Sequence, residues 1–145
     1  MKELVENNWS YTKHAKFYEY RPNYAPKAID VLKEYVEANQ KTDFKVADIG
    51  AGTGNLTIML LERGLETISI EPNDAMREIG MKKTEGANVK WIRATGLETT
   101  LEPKSVDWVT FGSSFNVMDR DLALKETHRL LKDGGYFSCM WNHRD

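Results

Sequence analysis

The densest chemical signal in the sequence is a glycine-rich segment, Asp48-Ile49-Gly50-Ala51-Gly52-Thr53-Gly54. Alternate glycines allow backbone angles, and a close approach of a ligand, that side chains would prevent. A helical pattern starts directly after this segment, so the free amide groups of that helix would face whatever lies on the loop. The segment predicts a ligand-binding loop, and a plain strand-to-helix turn without a ligand is the alternative interpretation.

An acidic residue further along the chain narrows the class of ligand that the sequence predicts. Glu71 lies 21 residues after Gly50, at the end of the next predicted strand. At this place in an α/β sheet, a carboxylate can accept two hydrogen bonds from a ribose diol. A solvated glutamate without a ligand is the alternative, but the spacing favours a ligand that contains a nucleoside.

The glycine spacing argues against a dinucleotide. The fingerprint G-x-G-x-x-G needs glycine at position 55 or 57, where this sequence has Asn55 and Thr57. A carboxylate at Asp48 would oppose a pyrophosphate, whereas it would complement a cationic amino-acid ligand. An oxidoreductase is therefore the weaker hypothesis.

Alternating apolar runs and helical patterns must position these residues. Strands are predicted over residues 44–49, 67–71, 88–93, 106–111 and 136–141, the last one after a glycine pair. Helices are predicted over residues 26–38, 56–63, 74–83 and 119–131. This alternation predicts an α/β fold with a doubly wound parallel sheet and right-handed crossovers. Ligands bind outside the carboxyl ends of the strands in such sheets, which is where both carboxylates fall.

Composition limits the class of protein. The chain has 145 residues, 41% of them apolar and 29% charged, with a net charge of -2. These values predict one folded domain over residues 1–145 and no nucleic-acid partner. The single cysteine, Cys139, excludes an internal disulfide and a metal site built on several cysteines, and it predicts a reducing, cytoplasmic location. No apolar run reaches the roughly 20 residues of a membrane span, so we expect none.

Several ordered motifs resemble the class I S-adenosylmethionine-dependent methyltransferases. The similarity is to the small-molecule branch that includes the ubiquinone and menaquinone biosynthesis enzymes. VADIGAGTGNLT is similar to the first motif of that family, ISIEPNDAMRE to the second, and HRLLKDGGYF to the segment before the fifth strand. Residues 18–24 are similar to the entry segment that covers the cofactor, and we assign this role to residues 1–24. The resemblance spans residues 11–145 and implies a Rossmann-like sheet with the strand order 3-2-1-4-5.

The resemblance implies that the cofactor is S-adenosylmethionine. Asp48 would serve its ammonium group directly or through water, Glu71 would hold the ribose hydroxyls, and Arg21 would pair with the carboxylate. An exposed arginine before a proline turn is the alternative for Arg21. The expected cofactor-binding residues are Tyr20, Arg21, Asp48, Gly50, Ala51, Gly52, Gly54, Asn55, Glu71, Pro72, Met76, Thr95, Gly96 and Ser113.

The sequence departs from the family pattern at two places. Many relatives place an acid after the third strand for the adenine amino group, where this chain has Thr95 and a displaced Glu98. Relatives also continue through a sixth and an antiparallel seventh strand, whereas this sequence stops at Asp145. We therefore expect a sheet that lacks those strands and exposes the edge of strand five, where a second copy or another chain could pair.

The segment after the fourth strand supplies candidates for substrate binding. Ser114 and Asn116 could orient a methyl acceptor, and local capping of the next connection is their alternative role. Methyl transfer depends mainly on positioning, so we assign no catalytic residue and no metal ligand. The resemblance implies an S-adenosylmethionine-dependent methyltransferase that acts on a small molecule. The alternative is a cofactor-binding or partner module without independent turnover.

Overall fold

The computed structural model describes residues 25–36, 43–112 and 119–140. None of the helices in these ranges is long and apolar enough to cross a membrane. The elements, in chain order, are α1 (Pro26–Val36), β1 (Lys45–Ile49), α2 (Asn55–Glu62), β2 (Glu66–Ile70), α3 (Asp74–Lys83), β3 (Val89–Ile92), β4 (Val106–Phe111), α4 (Arg120–Leu130) and β5 (Leu131–Cys139).

The strands form one sheet in which each strand is parallel to its neighbours. Their order is β3-β2-β1-β4-β5, and no further strand occurs in the described ranges. This confirms the predicted doubly wound α/β fold and its 3-2-1-4-5 order. The neighbours of β1 are β2 on one side and β4 on the other, so the sheet reverses its direction of growth there. A crevice at this reversal is the usual ligand site of such sheets.

Two apolar clusters fill the space on the two faces of the sheet. On one face, Ile29 of α1 and Leu60 of α2 belong to a cluster that includes Trp108. On the other face, Leu130 of α4 belongs to a cluster that includes Phe111. Every residue of β4 is buried, because helices cover the sheet on both sides of this central strand.

The last strand begins earlier than the sequence predicts. We expected it over residues 136–141, after a glycine turn, but it spans Leu131–Cys139 and follows α4 directly. Its pairing with β4 shifts register between Val106 and Trp108. Gly134 has a φ of +80°, which an L side chain rarely adopts. Gly134 therefore lies at an irregularity within β5 and not in a turn before the strand.

A buried glutamate ties the connection after β3 to α4. Glu126, 8% exposed, accepts hydrogen bonds at Oε2 from the backbone N–H of Thr99 at 2.8 Å and from its hydroxyl at 2.6 Å. The Arg129 guanidinium donates to both carboxylate oxygens at 2.7 Å. Together, Arg129 and Thr99 hold the pKa of Glu126 at about 2. This cluster fixes the middle of a connection whose first residues lie at the carboxyl edge of the sheet.

Candidate functional site

The glycine segment forms a tight loop between β1 and α2. Gly50, Gly52 and Gly54 have φ angles of +69°, +59° and +92°, all in the region that favours glycine. The backbone N–H groups of Gly50 and Ala51 donate to the carbonyl of Ile70 at 2.8 and 3.0 Å. The loop is thus anchored to the end of β2, and the first amides of α2 lie at its far end.

Glu71 links this loop to α3. Its Oε1 accepts from the backbone N–H of Gly52 at 2.7 Å, and its Oε2 accepts from that of Asn73 at 2.8 Å. The side chain is buried, and burial raises the pKa of Glu71 although both N–H groups oppose the rise. A carboxylate oxygen can accept more than one hydrogen bond, so Glu71 retains acceptor capacity for a ligand.

Asp48 is the second buried carboxylate of the site. Its Oδ2 accepts from the Thr57 hydroxyl at 2.6 Å, and that hydroxyl lies 2.7 Å from the Ser69 hydroxyl. Because Thr57 gives its only hydroxyl hydrogen to Asp48, Ser69 must donate to Thr57. Burial raises the pKa of Asp48 to about 7, the Thr57 hydrogen bond opposes this rise, and the negative charge of Glu71 adds to it.

One oxygen of Asp48 remains available for a ligand. Its Oδ1 is buried and has no hydrogen-bond partner among the described residues. Buried polar atoms in native proteins nearly always have a partner, and leaving one unpaired is costly. A hydrogen-bond donor or a cation is therefore the group that this position can stabilise.

The start of α3 closes another side of the loop. Asn73 caps the helix, and its side-chain oxygen accepts from the backbone N–H of Met76 at 2.9 Å. A Cβ placed on Gly52 would lie 3.4 Å from the Cε of Met76. The Met76 methyl group therefore presents an apolar surface next to Gly52. Pro72, which precedes the cap, is exposed.

The turn after β3 lies beside these residues along the same edge of the sheet. Thr95 is exposed and forms an antiparallel bridge with Glu98. The hydroxyl of Thr95 accepts from the backbone N–H of Leu97 at 3.3 Å, and Gly96 is buried. A hydroxyl side chain therefore stands at this turn, where the family resemblance led us to expect an acid.

Most of the residues that the sequence predicts for cofactor binding lie at the carboxyl edge of the sheet. The loop region contains Asp48, Gly50, Ala51, Gly52, Gly54, Asn55, Glu71, Pro72 and Met76, and the turn after β3 contains Thr95 and Gly96. The remaining predicted residues lie outside the described residues: Tyr20, Arg21, Ser113, Ser114, Asn116 and the covering segment 1–24.

Sequence reasoning missed the two hydroxyls beneath Asp48. Thr57 and Ser69 are both completely buried, one in α2 and one in β2. The available signal was a polar residue at an inward position of a mostly apolar element, which usually needs a hydrogen-bond partner. Only the fold shows that Thr57 pairs with the carboxylate of Asp48 and that Ser69 pairs with Thr57.

Comparison with known proteins assigns a family to this architecture. The family model described as a methyltransferase domain matches residues 47–139, which extend from β1 to the end of β5. The chain belongs to the methyltransferase domain family. This confirms the resemblance to class I S-adenosylmethionine-dependent methyltransferases that the motifs carried.

Two curated relatives match over part of their length. An uncharacterised methyltransferase of Mycobacterium tuberculosis is 34% identical over 125 residues, which are 86% of this chain and 48% of the relative. A demethylmenaquinone methyltransferase of Staphylococcus aureus is 38% identical over 101 residues, which are 66% of this chain and 42% of the relative. The chain therefore spans about half the length, or slightly less, of these relatives.

Solved structures of methyltransferases share the fold. A protein of Anaeromyxobacter dehalogenans assigned as a type II methyltransferase has a TM-score of 0.70 at 21% identity, covering 86% of this chain and 50% of its own. The geranyl diphosphate C-methyltransferase of Streptomyces coelicolor, solved with S-adenosyl-L-homocysteine, has a TM-score of 0.62 at 22% identity. That match covers 66% of this chain and 37% of the other.

Proposed function

We propose that the chain binds S-adenosylmethionine at the glycine loop and transfers its methyl group to a small-molecule acceptor. The observation that carries the proposal is the buried Oδ1 of Asp48, which lacks a hydrogen-bond partner among the described residues. This oxygen lies beside a loop whose three glycines all have positive φ angles. Membership of the methyltransferase domain family supports the same activity. The S-adenosyl-L-homocysteine in the Streptomyces coelicolor structure supports the same class of cofactor.

The charges of the site fit this cofactor. S-adenosylmethionine carries a positive ammonium group and a positive sulfonium, whereas a dinucleotide carries a negative pyrophosphate. Asp48 and Glu71 place two buried carboxylates around the glycine loop. Opposite charges attract strongly in such a poorly solvated place, so the site favours the cationic ligand.

Each described residue has a definite part in this proposal. Asp48 holds the ammonium group directly or through water, and Glu71 accepts the ribose hydroxyls with its remaining lone pairs. Gly50, Gly52 and Gly54 let the ligand approach the backbone, together with Ala51 and Asn55. Met76 and Pro72 flank the ribose and adenine, and Thr95 and Gly96 lie at the adenine edge.

The acceptor side of the proposal depends on residues outside the described ranges. Arg21 and Tyr20 would close over the cofactor, with Ser113 near it, while Ser114 and Asn116 would orient the acceptor. The bound cofactor supplies an electrophilic methyl group, and alignment of the acceptor accounts for most of the catalysis. A small-molecule acceptor is supported by the names of the Staphylococcus and Streptomyces proteins, which act on small molecules.

A pair of glycine variants tests the placement of the cofactor. Gly52→Ala adds a methyl group at a φ of +59°, inside the proposed site and against Met76. Gly64→Ala adds the same group at a φ of +78°, where nothing lies within 4 Å. Both variants carry similar backbone strain, but only Gly52→Ala should weaken binding of S-adenosyl-L-homocysteine, roughly tenfold or more, in calorimetry. Valine, which is β-branched, would add strain at this φ, so alanine is the cleaner change.

Equal affinities of the two folded variants would contradict this placement. Turnover with candidate acceptors is measured separately from binding. Binding without turnover would point to the alternative module that the sequence left open.

We also propose pairing of a second copy or another chain along β5, and a cytoplasmic location. Among the described residues, β5 has β4 as its only neighbouring strand, and Phe137 on β5 is 39% exposed. An unpaired strand edge with an exposed aromatic side chain favours association. The single cysteine in the chain favours a reducing compartment.

A further inference from the structure

Trp91 lies between α3 and the glycine loop, on the face of the sheet that α2 covers. It pairs in the sheet with Ser69, whose hydroxyl belongs to the network beneath Asp48. The indole Nε1 donates to the Thr84 hydroxyl at 3.0 Å, and this hydroxyl donates to the carbonyl of Gly80 at 2.8 Å. The indole is therefore fixed to the C-terminal end of α3.

Two glycines make room for this ring. A Cβ on Gly80 would lie 2.3 Å from Cη2 and 2.5 Å from Cζ2 of Trp91, which is impossible without a shift. A Cβ on Gly54 would lie 3.3 Å from Cζ2. Glycine inside a helix lowers the stability of the helix relative to alanine. The space that the indole needs therefore explains why glycine occupies position 80. The six-membered ring of the indole thus lies against both Gly80 of α3 and Gly54, the residue before α2.

Two contacts hold the later part of the loop, in addition to the hydrogen bonds of Gly50 and Ala51 to the Ile70 carbonyl. In the first, the carboxylate of Glu71 binds the N–H of Gly52. In the second, the indole of Trp91 lies against Gly54, the N-cap of α2. Gly54 has no side chain that could accept from the first amides of the helix. Packing of Trp91 against Gly54 therefore adds to the hydrogen bond from Thr57 to Asp48 in fixing this first turn.

We propose that Trp91 is a positioning residue of the cofactor site, which sets the place of Gly54 and the first turn of α2 relative to Glu71. The proposal rests on the proposed function, since it assumes that the loop binds S-adenosylmethionine. Trp91 does not act on the ligand itself. It keeps the loop in the conformation that binds the ligand, so its loss lowers affinity even when the chain remains folded.

Matched tryptophan variants of the full chain test this role. Trp91→Phe removes the ring atoms that lie against Gly54 and Gly80. Trp108→Phe makes the same chemical change in β4, where the indole is fully buried and bonded to Ser138. We expect Trp91→Phe to weaken S-adenosyl-L-homocysteine binding about fivefold or more by calorimetry. Trp108→Phe should lower stability toward urea but leave the dissociation constant within about twofold.

A compensating change supplies a readout that general destabilisation would not give. Adding Gly80→Ala to Trp91→Phe places a methyl group in the space left by the ring and should restore part of the lost affinity. Gly80→Ala alone, which clashes with the indole, should weaken binding. Thr84→Val removes the hydroxyl that accepts from the indole N–H, so it should also weaken binding of S-adenosyl-L-homocysteine. If Trp91→Phe does not fold, the affinity of Thr84→Val tests the positioning role instead.

The outcomes separate this inference from the proposed function. If the natural chain does not bind S-adenosyl-L-homocysteine, the proposed function fails. If the natural chain binds and Trp91→Phe binds equally well, or if Trp108→Phe weakens binding just as much, only the positioning role of Trp91 is overturned.

Discussion

At the scale of single residues, the burial of Asp48 affects stability in a pH-dependent way. Its carboxyl is buried with one unpaired oxygen, and burial raises its pKa to about 7 from 3.8. Between these two values the folded chain holds a proton that the unfolded chain has released. The contribution of Asp48 to stability therefore falls as pH rises through this window, and above it the folded chain must bury a charge.

We predict that Asp48→Asn stabilises the chain at pH 8. The amide oxygen can still accept from Thr57, and no charge has to be buried. One unit of pKa displacement corresponds to about 1.4 kcal/mol, so the gain over the natural chain should be at least about 1 kcal/mol at pH 8. It should be much smaller near pH 4, while affinity for S-adenosyl-L-homocysteine falls at both pH values.

Urea unfolding of both chains at pH 4 and pH 8 provides the measurement. Asp133→Asn is the matched control, because the Asp133 side chain is 91% exposed and should give no comparable pH-dependent difference. A gain that is the same at the two pH values would contradict the argument.

At the scale of elements, α4 and the connection after β3 depend on one glutamate. Glu126 accepts from Thr99 and Arg129, and the pKa of its carboxyl is lowered to about 2 from 4.5. A lowered pKa means that the stabilisation is fully present above pH 4.5 and is lost as pH falls through 2.

We predict that Glu126→Gln lowers the free energy of unfolding by roughly 1–3 kcal/mol at pH 7, the usual cost of hydrogen bonds that involve a charged group. The loss should shrink as pH falls from about 4 toward 2. Chemical unfolding of Glu126→Gln across this pH range measures the loss. Glu78→Gln, at an exposed position of α3, is the control. A loss that does not vary with pH would contradict the assigned cause.

Periodicity predicted the elements well where the burial pattern is simple. The bounds of α3 and β4 agree with the expected residues 74–83 and 106–111, because a capping residue begins the first and burial on both faces marks the second. The start of β5 was wrong because a glycine pair resembles a turn. Only pairing with β4 shows that Gly134 lies inside the strand.

The arrangement of the candidate site was predictable to the extent that it depends on local spacing. Asp48, Glu71 and the alternate glycines follow from strand ends and from the turn between β1 and α2. Thr57 and Trp91 could not be assigned in this way. The contact of Thr57 with Asp48 depends on how α2 packs against β1, and the contact of Trp91 with Gly54 joins residues that are far apart in the sequence.

At the scale of the whole molecule, β5 forms one edge of the described sheet and carries an exposed aromatic side chain. Phe137 packs edge-on against Phe111, with ring centroids 5.7 Å apart, yet remains 39% exposed. We predict self-association along this edge at high micromolar concentration, and its loss in Phe137→Lys, since a charged edge residue discourages strand pairing.

Light scattering at several concentrations measures this. Val31→Lys serves as control, because Val31 is 60% exposed on α1 and its replacement should leave association unchanged. A natural chain that stays monomeric at high micromolar concentration would contradict self-association, and a different partner at β5 would then have to be sought.

The central claim is that the glycine loop binds S-adenosylmethionine, and calorimetric titration of the full chain with S-adenosyl-L-homocysteine tests it most directly. We predict one molecule bound per chain, with a dissociation constant below about 1 mM, equivalent to a binding free energy of about −4 kcal/mol or stronger. NAD, titrated in parallel, should bind more weakly because its pyrophosphate opposes Asp48 and Glu71. A folded chain that shows no binding of S-adenosyl-L-homocysteine at 1 mM, or that binds NAD more tightly, would contradict the account.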